Sequence, residues 1–105
     1  MILGGSRTRI ELHDRTPELK VATGTGYKIT LNGRLYGLDA IRVEYQRNGA
    51  SDWVLAGFLT YLPAELTITP ETDGAPESGR LRARYFHKNQ AVGNYSANYA
   101  VTVAA

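Results

Sequence analysis

The sequence predicts an all-β fold, a seven-stranded antiparallel Greek-key β-sandwich, from three observations. No window of about eleven residues places apolar side chains at i, i+3, i+4 and i+7, so no amphipathic helix is expected. Short runs alternate apolar and polar residues with period two, and turn residues separate them. The chain has 105 residues, one domain's worth, and without helices to carry parallel crossovers its sheets must be antiparallel. A small closed barrel would need similar alternation and is the lesser alternative.

The elements follow in order. Leu19 and Val21 alternate with Lys20 and Ala22 before Thr23-Gly24-Thr25-Gly26 breaks the strand. Tyr27, Ile29 and Leu31 form the inward set of a second strand, ended by Asn32-Gly33. Ile41, Val43 and Tyr45 mark the third, and Asn48-Gly49 is the strongest hairpin signal because both residues tolerate positive φ. Trp53 to Thr60 is an apolar run without clean alternation. Leu66 and Ile68 define the fifth strand, stopped by Pro70. Glu71 to Gly79 reads as a loop, with Asp73-Gly74, Pro76 and Ser78-Gly79. Leu81, Ala83 and Tyr85 alternate with Arg80, Arg82 and Arg84 in the sixth strand. Asn89 to Ser96 reads as another loop, and Tyr99, Val101 and Val103 mark the seventh strand. The inward residues of all the alternating runs are the expected core. Residues 1–16 are expected to be a flexible lead-in or an extra edge strand, since Thr8 to Leu12 also alternates, and 17–105 the sandwich.

Hydrophobic residues make up 43% and charged residues 21%, ordinary globular values that exclude disorder and coiled coil. No apolar run approaches the roughly 20 residues of a membrane-spanning helix. Cysteine is absent, which removes disulfides, thiolate nucleophiles and cysteine metal sites. The net charge of +2 falls short of a nucleic-acid binder's basic footprint.

Four stretches resemble the fibronectin type III-like (immunoglobulin-like) β-sandwich domain. Thr16-Pro17-Glu18-Leu19-Lys20-Val21 resembles its proline-led first strand, and Asp39-Ala40-Ile41-Arg42-Val43-Glu44-Tyr45 its third. Arg80-Leu81-Arg82-Ala83-Arg84-Tyr85 resembles the basic-and-aromatic sixth strand. Val92-Gly93-Asn94-Tyr95-Ser96 with Tyr99-Ala100-Val101-Thr102-Val103 resembles the last loop and closing strand. The likeness is greatest to divergent bacterial members that end large surface or assembly proteins. Two positions depart from the family: Asn32 stands where a core Trp is usual, and Leu81 where a corner Tyr is usual. The resemblance implies architecture and a spacer, assembly or binding role, on a cell surface or in an extracellular assembly, rather than any shared chemistry.

The residues themselves predict no catalytic group, cofactor or metal site. His13 and His87 lack a partner at metal-binding spacing, and none of Ser6, Ser51, Ser78 and Ser96 sits in a nucleophile elbow. Thr23-Gly24-Thr25-Gly26 precedes a strand, whereas a phosphate cradle would open a helix. Glu71, Asp73 and Glu77 read as a solvated acidic loop, a weak calcium site being the alternative. Asn94-Tyr95-Ser96 is a formal glycosylation acceptor that reads as a chance tripeptide in a loop.

Three surfaces remain. Arg82 and Arg84, with Arg80 and Arg42, should share an outer sheet face with Glu44 across the strands. This face reads as solvated, or as a stripe that docks an acidic partner. It lacks the interleaved aromatics of a nucleic-acid groove, so no nucleic acid is expected. The loops Asn32 to Leu38 and His87 to Ser96 should meet at one end, gathering Arg34, Tyr36, Asn94 and Tyr95, residue types suited to adaptable contacts. The run from Trp53 to Leu59 has two apolar faces and should leave Val54, Ala56 and Phe58 at the surface beside an edge strand, or covered by the N-terminal segment Arg7 to Leu12. The expected function is a non-catalytic structural or protein-interaction module of a larger surface or particle assembly, binding a protein partner or itself. The alternative is a ligand-binding module, carbohydrate or protein, using the loop end.

Overall fold

The computed structural model describes residues 16–105, so His13 and the alternating run Thr8 to Leu12 lie outside the described residues. Eight strands form two antiparallel sheets, β1(Lys20–Thr23), β2(Lys28–Asn32), β3(Ala40–Arg47), β4(Val54–Leu59), β5(Ala64–Thr67), β6(Glu77–His87), β7(Gln90–Val92) and β8(Tyr99–Val103). The order is β1-β2-β5 in one sheet and β4-β3-β6 in the other, where β7 and β8 share the far edge of β6. This is the predicted sandwich, with one short strand more than the seven expected.

The inward alternation holds. Ile29 and Leu31 of β2 meet Ile41, Val43 and Tyr45 of β3 and Leu81, Ala83 and Tyr85 of β6 in one buried cluster. Leu66, Ile68, Val101 and Val103 close it. Leu19 and Val21 are only half-buried, because β1 is the rim of its sheet. Where a core Trp is usual, exposed Asn32 ends β2, and the buried aromatics are Tyr27, Tyr45 and Tyr85.

Three local features differ from the sequence expectation, each for a backbone reason. Asn48-Gly49 does open the β3–β4 hairpin, but not with both residues left-handed. Only Gly49 has positive φ (85°), and Ala50 N–H donates to Arg47 O, the φ signature of a type II turn at the start of a longer loop. The two-residue hairpin is instead Lys88-Asn89, with φ of 52° and 64°, between the paired His87 and Gln90. It creates β7 inside the expected loop. Both residues hold a left-handed conformation that glycine and asparagine adopt more easily than lysine. The double variant Lys88→Asn, Asn89→Gly is therefore expected to stabilise the domain by about 1 kcal/mol, read as a raised urea midpoint.

The third feature is a β-bulge. Val43 pairs with Gly57 but Glu44 pairs with Leu55, so Ala56 is the extra residue of β4. The bulge breaks the alternation and corrects the expected exposed set. Leu55 and Phe58 both fall on the outer face, opposite Glu44 and Arg42, while Ala56 is half-buried. Val54 turns inward opposite Tyr45 and is exposed because the sheets part there. Gly57 packs closely under Leu66: a Cβ on it would lie 2.2 Å from Leu66 Cδ2, so that methyl would have to turn away.

Candidate interaction surface

The outer face of the five-stranded sheet collects the basic residues. Inward Leu81, Ala83 and Tyr85 force Arg80, Arg82 and Arg84 outward, and the β3–β6 register sets Arg84 beside Arg42 and Arg82 beside Glu44. Glu44 Oε1 accepts from Arg82 Nε at 2.7 Å, and its Oε2 lies 3.5 Å from Arg42 Nε. The cross-strand pairing of Glu44 with the arginines is as expected, but its carboxylate is buried between these two rather than solvated. Arg80 bonds the Gln46 side chain, and Arg84 Nε donates to Gly93 O at 2.9 Å.

Two aromatics, which the expected face lacked, lie between these arginines. The Arg82 guanidinium sits 4.3 Å from the Trp53 ring centre and 4.0 Å from that of Tyr95. Arg80 lies 5.8 Å from Trp53, and Arg84 lies 5.3 Å from Tyr95. The result is a ladder, Arg80–Trp53–Arg82–Tyr95–Arg84, of cation–π contacts worth about 0.5–1 kcal/mol each when exposed. Neither aromatic comes from the arginine strand. Trp53 is carried in by the β3–β4 loop and Tyr95 by the break between β7 and β8.

That break is held by Ser96. Its N–H donates to Ala83 O at 2.8 Å, and its Oγ accepts from Ala83 N–H at 2.9 Å, so the loop satisfies the β6 backbone where no strand pairs. Ser96 is buried, with Asn94 and Tyr95 exposed beside it. The tripeptide is thus a backbone clamp.

The other loop residues lie elsewhere. Arg34 O accepts from Tyr85 Oη at 2.7 Å, and the Tyr36 ring packs edge-on to Tyr85 at 6.5 Å. Since Tyr85 points inward, Arg34 and Tyr36 belong to the sandwich end, separate from the outer-face set Arg82, Arg84 and Tyr95. They line an open cleft of about 540 Å³ with Lys20, Asn32 and Tyr99. The β2–β3 loop and the β6–β7 hairpin do meet: Lys88 N–H donates to Asp39 Oδ2 at 2.7 Å, and His87 Nδ1 lies 3.4 Å from Asp39 Oδ1.

The expected acidic loop is different in kind. Glu77 opens β6 because Glu77, Ser78 and Gly79 pair with Val103, Thr102 and Val101 of β8. Its carboxylate is 9% exposed. It accepts from Tyr45 Oη (2.8 Å), Arg47 Nε (2.8 Å) and Glu71 N–H (2.9 Å). Burial opposes its charge, but these three donors outweigh burial and hold its pKa below the ordinary 4.5. Burial, and then the bond to Glu77, raise the Tyr45 phenol; the same carboxylate raises Arg47. Among the described residues no three metal-ligating side chains come together. None of their helices is long and apolar enough to cross a membrane.

No family model and no curated protein matches the chain. Among solved structures, the FN1–FN3 domains of chicken CNTN1 superpose with a TM-score of 0.65 at 14% sequence identity, over 87% of this chain and 34% of that one. The chain thus spans about a third of that structure's length, and the likeness establishes the fold.

Proposed function

We propose that this fibronectin type III-like sandwich is a non-catalytic protein-interaction or structural module that receives an acidic partner segment on the outer face of its five-stranded sheet. The observation that carries the reading is the arginine–aromatic ladder. Four outward arginines of β3 and β6 face a single carboxylate, Glu44, which is consumed by Arg82 and Arg42. Among the described residues neither Arg80 nor Arg84 lies within 4.0 Å of a carboxylate. Their guanidinium groups are held by Gln46, Gly93 O and the two rings, so little side-chain entropy is lost when a carboxylate docks. A planar guanidinium donates two parallel bonds to a carboxylate, so a run of glutamates or aspartates is the matching chemistry.

Trp53 is the only tryptophan and stands inside the ladder, so its fluorescence reads this face directly. Titration with an octaglutamate peptide at low salt is expected to change Trp53 emission saturably. The change should shrink at least about tenfold in apparent affinity at 0.5 M salt, and disappear in Arg80→Ala/Arg84→Ala with the fold intact. Failure of octaglutamate to alter the emission would remove the acidic-partner reading. A second reading, ligand binding at the loop end, is favoured by the open cleft beside Tyr36 and Tyr99. Binding of a soluble oligosaccharide that Tyr36→Ala abolishes and Arg84→Ala leaves unchanged would establish that reading instead.

A further inference from the structure

Each sheet of a sandwich has two free edges, and among the described residues three of the four here carry charges, prolines or breaks that block pairing with another chain. β1 carries Lys20 and follows Pro17 and Glu18. β5 follows Pro63 and carries Glu65, 3.7 Å from Lys28. The β7/β8 edge is interrupted between Val92 and Tyr99. The fourth edge, β4, carries only the bulge at Ala56. From Trp53 to Tyr61 there is no charged residue and no proline. Four of the six exposed large apolar side chains of the described residues are gathered here: Val54 (56%), Leu55 (58%), Phe58 (50%) and Tyr61 (68%). Phe58 packs edge-on to Phe86 at 5.1 Å, which holds it upright on the outer face. Below the strand the sheets part into a groove of about 390 Å³ of mixed lining, with Val54, Ala56 and Ile68 beside Arg47, Thr67 and Thr69. Among the described residues the outer side of the β4 edge is therefore apolar and open, and the inner side is open with a mixed lining.

We propose that β4 is a self-association edge, at which two copies of this chain pair β4 to β4, antiparallel about a two-fold axis, into one continuous sheet. The occupant is a second copy because the strand is self-complementary. A register centred between Ala56 and Gly57 sets Leu55 opposite Phe58 of the second copy on the outer face, and Val54 opposite its Leu59 on the inner face. Like charges are not opposed. The nearest outward charges, Arg42 and Glu44, are one strand in from the edge, so like charges of the two copies stand at least about 14 Å apart, beyond the screening length at physiological salt. The apolar surface available is on the order of 400 Å² per copy, which places the pairing among weak, concentration-dependent associations. The inference is independent of acidic-partner binding, since it uses no residue of the ladder.

The test is light scattering of the full chain from about 5 µM to about 1 mM, joined to hydrogen exchange at both ends of that range. The expected mass rises from one copy to two, and exchange slows at high concentration in 54–59 alone. Leu55→Lys and Phe58→Lys, each checked by circular dichroism, should remain single copies throughout. A wild-type mass of one copy across the range overturns the proposal, whatever the octaglutamate titration shows. So does a dimer that survives in either folded lysine variant, or one whose protection maps to β1 or β8.

Discussion

Replacing Gly79 by alanine is expected to destabilise the domain by about 3–4 kcal/mol, and replacing it by valine to prevent folding. Gly79 lies in β6 between Arg47 of β3 and Val101 of β8, pointing into the core. A Cβ there would lie 2.5 Å from both Cε1 and Oη of Tyr45, and 2.6 Å from the Gln46 backbone oxygen. The Tyr45 ring cannot swing aside without losing its bond to Glu77, and Gln46 O belongs to the central strand of the sheet. The methyl group therefore costs both overpacking and a charge-assisted hydrogen bond. Against a total stability of about 5–15 kcal/mol, that is a large fraction. Gly24→Ala is the control: its Cβ meets nothing within 4 Å, and its φ is not left-handed. That variant should be neutral or stabilise by up to about 1 kcal/mol. Urea melts of the two alanine variants decide the matter, and equal midpoints would overturn the argument.

Glu77→Gln is expected to cost about 2–3 kcal/mol at pH 7, because an amide cannot accept from Tyr45, Arg47 and the Glu71 N–H with the strength of a carboxylate. The same carboxylate sets a pH dependence. Its folded pKa lies below the ordinary 4.5, so the folded state favours the ionised form. The stability it contributes is fully present above about pH 5 and is lost as pH falls through the folded pKa. Wild type should therefore lose stability below about pH 5 more steeply than Glu77→Gln, and the gap between them should narrow on acidification. Thermal melts from pH 7 to pH 3 measure this. Parallel curves would show that the carboxylate is not the anchor of the β5–β6 loop.

These two residues also mark where sequence reasoning stops. Glu77 sits among Pro76, Ser78 and Gly79, the composition of a solvated loop, and nothing local distinguishes it from exposed Asp73. Its partners Arg47 and Tyr45 lie 30 and 32 residues away. Trp53 and Tyr95 likewise join the arginines from separate loops, so the ladder has no signature in any single stretch. The bulge at Ala56 is hidden because both faces of β4 are apolar, and a period-two count cannot detect a slipped residue there. The Lys88-Asn89 hairpin lacks the glycine that announces such turns. By contrast, Glu44 facing the β6 arginines was legible from alternation and strand order, while the register that selects Arg82 came from the structure.

The sequence by itself determined the sandwich, its strand faces and nearly all of its core, because alternation is a local property that burial on one face imposes on every strand. It also determined that Arg80, Arg82 and Arg84 share one face. Only the tertiary structure decided what surrounds them. It buried Glu77 as a structural anchor, slid two aromatics between the arginines, parted Arg34 and Tyr36 from Tyr95, and left β4 as an apolar edge with a bulge at Ala56. Those outcomes depend on distances between residues far apart in the chain, which packing and register set and which no local pattern records.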